Sequence, residues 1–189
     1  MPYDARVRTP LARWAILFVI GAVLGTALDS LHVFFGVLDY PGPHPTAQPL
    51  WVPPLFGSAT LLFVFGHRGF RAPGERGTPG RAAFAWVVFA LVYLASAALH
   101  EWPRALLIAM LVGFIPFVWS PTFLRRAAYA LSIALGGVLF ESTLVHLGAF
   151  RYLAPGPFLV PVWLPGLYLY AAQAARQVDL AYCSGEPRR

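Results

Sequence analysis

The sequence contains no lysine: all fourteen basic residues among its 189 are arginine. Without a lysine amine, the Schiff base that retinal or pyridoxal chemistry needs cannot form. Cysteine is nearly absent as well. The single Cys183 sits in the polar end of the chain, which excludes an internal disulfide and a cysteine-rich metal centre. Charge is scarce, at 12% of residues against 58% apolar ones, where a soluble domain carries about 25% charge. No Gly-x-Ser-x-Gly elbow, P-loop or zincin motif is present. The arginines lie between apolar runs rather than along one basic face, so the excess positive charge does not point to nucleic acid. No cofactor is expected. What is abundant is apolar sequence, with an arginine-only, Ala-, Gly- and Pro-rich bias that a GC-rich bacterial genome produces.

Six apolar runs approach the length needed to cross a hydrocarbon layer of about 30 Å. They predict helices over 14–38, 50–66, 82–99, 105–119, 127–147 and 158–175. These make one six-helix transmembrane domain over 1–180, with 181–189 as a polar C-terminal tail. The second and fourth runs are short, so Pro-containing ends or tilt must supply the missing length. Gly25-Thr26-Ala27 imitates a signal-peptidase site, but the apolar pattern continues past it, which favours a retained helix. Orientation follows from the arginines. Arg6, Arg8, Arg13, Arg68, Arg71, Arg76, Arg81, Arg125, Arg126, Arg176, Arg188 and Arg189 fall on one side of that topology, and only Arg104 and Arg151 on the other. The expected arrangement is a multi-pass protein of the bacterial inner membrane with both termini cytoplasmic.

A shift of 112 residues aligns 25–59 with 137–171 without gaps, with twelve identities in 35 positions. They include Gly25/Gly137, Gly36/Gly148, Tyr40/Tyr152, Trp51/Trp163 and Pro53/Pro165, while Asp29 falls on Glu141. Helices one and two and helices five and six therefore read as a parallel internal repeat.

Asp29 and Glu141 are the foremost candidates for chemistry. An ionisable group within a span is costly and so faces protein or water. Gly21, Gly25 and Asp29 share one helical face, as do Gly137 and Glu141, and small residues there allow close packing. Both carboxyls should point inward, and a structural alternative pairs Asp29 with His32 and Glu141 with Ser142 or His146. Trp51, Pro53 and Pro54 open the second helix and Trp163 and Pro165 the sixth, as interfacial anchors or as part of a site. The segment His100-Glu101-Trp102-Pro103-Arg104 lacks metal-ligand spacing and reads as a cap on helix four.

Several of these motifs resemble the Insig (insulin-induced gene) family of six-helix membrane proteins. Its Trp-Val-Pro-Pro, two residues, Gly-Ser/Thr-Ala pattern is similar to Trp51-Val52-Pro53-Pro54 with Gly57-Ser58-Ala59. Its Gly-x-x-x-Tyr turn followed by Trp-Leu-Pro resembles Gly148 and Tyr152 with Trp163-Leu164-Pro165. Ala95-Ser96-Ala97-Ala98-Leu99 and Arg176-Gln177 also match in order, so the resemblance covers roughly residues 14–180. The chain departs from the family at His100, where the family has Asp, and at Ser120-Pro121-Thr122, where it has a charged stretch. The resemblance thus implies the bundle and its lipid-receiving core rather than the eukaryotic partner surfaces.

Two readings compete with an Insig-like, non-catalytic lipid binder of regulatory or sensing role. Asp29 and Glu141 could protonate an isoprenoid or carotenoid in a membrane enzyme, but the Pro-x-Glu-Glu/Asp motif of small carotenoid cyclases is absent. The same acids could serve a small proton-coupled transporter, which six helices could form only as an oligomer. The favoured ligand is an apolar lipid with a small polar head, sterol-like or diacylglycerol-like. It is expected in a cavity between the repeat copies, open toward the outer leaflet and contacted by Trp51, Asp29, Phe56, Pro53, Pro54, Glu141, Tyr152 and Trp163. A membrane-protein partner, which the sequence does not identify, and a homo-oligomer are both compatible with this reading.

Overall fold

The structure, a computed structural model, describes residues 10–44 and 47–183. Its six helices are α1 (Pro10–Phe34), α2 (Val52–His67), α3 (Pro79–Ala98), α4 (Pro103–Val118), α5 (Phe123–His146) and α6 (Leu164–Val178). Two short strands, β1 (Leu38–Asp39) and β2 (Arg151–Tyr152), pair antiparallel at one end of the bundle, called here the ribbon end. The arginine-rich segments lie at the other end.

Alpha helices are the only open elements whose backbone is satisfied in lipid, and the surface of this bundle matches that solvent. Val23, Leu62, Leu91, Ile108, Val112, Leu135 and Leu139 are all exposed, so an apolar belt faces outward from five helices. Helices α1, α3 and α5 are long and apolar enough to span alone. At 16 residues each, α2 and α4 rise only about 24 Å. Helix α6 is different: eleven of its fifteen residues are buried, and it packs against α2, α3, α4 and α5 as the central post. This is an integral membrane bundle.

The duplication is visible in the backbone. Helix α1 packs on α2 as α5 packs on α6. Gly36 (φ +69°) ends α1 with Val37 N–H bonding His32 C=O and Gly36 N–H bonding Val33 C=O. Gly148 (φ +75°) ends α5 with Ala149 N–H bonding Leu144 C=O and Gly148 N–H bonding Val145 C=O. Both are Schellman caps, which need a residue in the left-handed region, and that need accounts for the paired glycines. A Cβ on Gly25 would meet the Phe56 ring at 2.5 Å, and one on Gly137 would meet the ring of Tyr168, the counterpart of Phe56, at the same distance.

Helix limits differ from expectation where local chemistry decides them. The first helix ends at Phe34, not 38, because the Gly36 cap stops it. The last begins at Leu164, not 158. Phe158 and Leu159 hold positive φ, and Pro161 disfavours helix in the residue before it. The polar tail starts later than expected, since Asp179–Cys183 continue as one π turn packed on the core and Cys183 is buried. Arg6, Arg8, Arg188 and Arg189 lie outside the described residues.

Candidate functional site

The two carboxyls expected to point inward do so, each within a tyrosine cradle. Asp29 accepts hydrogen bonds from Tyr40 Oη (2.7 Å) and Gln48 Nε2 (2.6 Å) on Oδ2 and from Tyr93 Oη (3.4 Å) on Oδ1. Glu141 accepts from Tyr152 on Oε2 and from Tyr168 on Oε1. Tyr40 and Tyr152 occupy equivalent repeat positions, so each copy holds its acid with the tyrosine eleven residues on. The alternative pairings did not form. His32 Nε2 bonds Ser96 Oγ (2.8 Å) while its ring stacks on Tyr93, and Ser142 Oγ donates to Phe158 C=O.

Asp29 and Glu141 both face a cavity of about 1620 Å³ lined by α1, α2, α3, α5 and α6. Apolar and aromatic side chains form most of its wall, and the polar atoms gather toward the ribbon end. It also reaches Arg13 and Tyr182 at the arginine end, so it runs along the bundle rather than sitting under one leaflet. Of the residues singled out from the sequence, Asp29, Trp51, Phe56, Glu141 and Tyr152 line this cavity. Three do not. Pro53 and Pro54 occupy the first turn of α2, and Trp163 is buried in the core with its ring 5.4 Å from that of His32. Tyr93 and Tyr168, which the sequence reading passed over, complete the acid cradles. The repeat could have supplied Tyr168, because its counterpart Phe56 was already a candidate.

A second polar cluster locks the arginine end. Asp179 is fully buried and accepts from His67 Nδ1 (2.7 Å) and from Arg71 through both carboxylate oxygens, with Arg68 Nε at 3.9 Å. Glu75 accepts from Arg126 Nη2 (3.1 Å) and from Arg176. Burial alone would raise the Asp179 pKa, but the hydrogen bonds from His67 and Arg71 outweigh it and hold the carboxyl below its ordinary range. Glu75 is likewise held low, its burial being overcome by Arg176 and then Arg126. These contacts tie the α2–α3 connection to α5 and to the end of α6.

Fold and cavity together define a membrane bundle built from a duplicated helical hairpin around a lipid-sized space. No family model matches the chain. The INSIG protein homolog of Mycolicibacterium vanbaalenii is 28% identical over 173 residues, covering 83% of this chain and 82% of that protein. Two crystal structures of the mycobacterial Insig homolog MvINS from Mycobacterium vanbaalenii, one of a cross-linked trimer, superpose at a TM-score of 0.79. They share 25% identity with this chain and cover 97% of it and 100% of themselves. In sequence and in fold the chain is similar to these Insig homologues.

Proposed function

We propose that this Insig-like chain is a non-catalytic protein that binds an apolar lipid with a small polar head, with a lipid-sensing or regulatory role. The cavity carries the reading. Ligand pockets commonly enclose about 300–1,000 Å³, and about 1620 Å³ leaves room for a sterol-like or a two-chained, diacylglycerol-like molecule. Its wall is apolar, and its few polar groups are convergent, the pattern that orients one head group. Purification followed by lipid extraction and mass spectrometry tests the reading. The expected result is a stoichiometric, unmodified neutral lipid. A substrate and product pair would instead mark an enzyme. Phe56→Ala is expected to weaken retention of that lipid by about 1–3 kcal/mol, the scale of one lost aromatic contact. Anionic phospholipid alone, retained equally by the variant, would sink the proposal.

The same reading places the ribbon end outside, because arginine-rich connections stay in the cytoplasm. In a Cys183→Ser background, single cysteines at positions 44 and 155 should react with an impermeant reagent from outside, and those at 74 and 122 only from inside. Labelling of position 44 from inside would reverse the orientation. A homo-oligomer is proposed by analogy with the cross-linked trimer of the mycobacterial relative.

A further inference from the structure

The two ends of the bundle treat their buried acids differently. At the arginine end Asp179 is held by His67 and Arg71, and Glu75 by Arg126 and Arg176. At the ribbon end Asp29 and Glu141 receive only neutral donors, Tyr40, Gln48 and Tyr93 on the first and Tyr152 and Tyr168 on the second. Among the described residues no arginine or histidine forms an ion pair with either acid. Buried carboxylates are ordinarily matched by positive charge, and both of these lie on the wall of one cavity. A third group there is also unmet. His32 is 1% exposed and lines the same cavity. Ser96 Oγ gives its own proton to Tyr93 C=O (2.7 Å), so its 2.8 Å contact with His32 Nε2 makes that nitrogen the donor. Nδ1 is left as a lone pair with no hydrogen-bond partner among the described residues.

The rest of this end is aromatic, with Trp51 and Phe150 lining it beside the four tyrosine rings. Aromatic faces attract cations, most strongly where water is excluded. Among the described residues no three His, Cys, Asp or Glu side chains converge as a metal ion requires, so the charge that fits is carried by a larger, apolar body. From this we infer that the ribbon end of the cavity binds a lipophilic organic cation, a quaternary ammonium or phosphonium centre, between Asp29 and Glu141. Such a centre neither donates nor accepts a hydrogen bond, so the tyrosine bonds to the acids stay in place. Its spread charge also sheds water at lower cost than a compact ammonium group. A carboxyl that holds a proton in the empty cavity releases it to water when the cation arrives, so negative charge is available from either starting state. This rests on the reading of the space as a ligand cavity and adds a charged ligand class to the neutral one proposed above.

Tetraphenylphosphonium and tetraphenylborate match in size and shape and carry opposite charges. The purified protein in uncharged detergent micelles, stripped of bound lipid, is titrated with each ion and with dioctanoylglycerol, and binding is read by calorimetry against empty micelles. The formal net charge of +6 favours the borate elsewhere on the protein, so a preference for the phosphonium isolates this site. The expected result is phosphonium binding at least about tenfold tighter than the borate, the scale of one desolvated cation–π contact. Glu141→Gln removes the charge and keeps the shape, and it should weaken phosphonium binding by about tenfold or more while changing dioctanoylglycerol binding less. Glu141→Asp, which keeps the charge, should retain most of the phosphonium affinity. Borate bound as tightly as phosphonium by the parent protein, with dioctanoylglycerol still bound, would overturn the cation inference and leave the lipid cavity standing. Binding of none of the three would defeat the cavity reading itself. Because the ligand series is run on the parent protein, a variant that fails to fold does not remove the test.

Discussion

Asp179→Ala is expected to lower stability by about 3–5 kcal/mol, the cost of stranding buried charges, read as a fall in the thermal midpoint in detergent micelles. Asp179 is fully buried and holds His67 and Arg71 by direct hydrogen bonds. Its removal leaves those donors facing protein rather than water. Asp39→Ala is the matched control. Asp39 also pairs with an arginine, Arg151, at 2.8 Å, but their side chains are 43% and 70% exposed. Exposed pairs contribute about 0–1 kcal/mol, so this variant should melt close to the parent. Equal losses in the two variants would refute the lock. The same cluster gives an acid limit. The carboxyls of Asp179 and Glu75 titrate lower in the folded protein than in the unfolded chain. Their stabilisation is therefore fully present above the ordinary carboxylate range, about pH 4, and is lost as pH falls through the folded values. Asp179→Ala should be less sensitive to acid than the parent.

The second large effect separates two tryptophans that the repeat makes equivalent. Trp163→Ala should cost about 3–5 kcal/mol, as for a large aromatic removed from a packed core. Trp163 is 1% exposed and lies against His32. Trp51 is 37% exposed and meets Tyr40 by ring edge at 5.7 Å. Trp51→Ala should therefore leave the melting temperature nearly unchanged while affecting ligand retention, since Trp51 lines the cavity. The outcome that sinks this contrast is a Trp51→Ala variant as unstable as Trp163→Ala.

Much of the bundle was legible because lipid imposes length and apolarity on each span, and six such runs are plain in the sequence. The repeat was legible for a related reason: Gly36 and Gly148 are needed for their caps, and Tyr40 and Tyr152 for their acids. What could not be read was how differently the second helix of each copy is placed. Identical tryptophans went to different environments because α6 is the central post whereas α2 borders the cavity. The arginine-end cluster was also hidden. Arg68, Arg71, Arg126 and Arg176 read as topology markers, and nothing local in the sequence shows that Asp179 and Glu75 would be brought beneath them. Pro53 and Pro54 were read as site residues from their neighbourhood to Trp51, but a helix's first turn directs successive side chains to different faces.

Two of the contacts described above join a residue to its own image. Asp39 and Arg151, and likewise His67 and Asp179, are 112 residues apart, the period of the duplication. In an assembly of two identical hairpins, a position lying on the two-fold axis meets itself, and a carboxylate there would oppose a carboxylate. Joining both hairpins in one chain lifts that restriction, because each axial position can then carry a base in one copy and an acid in the other. Reverting either axial pair to identical residues, as in Arg151→Asp or Asp179→His, would place like groups face to face at the seam.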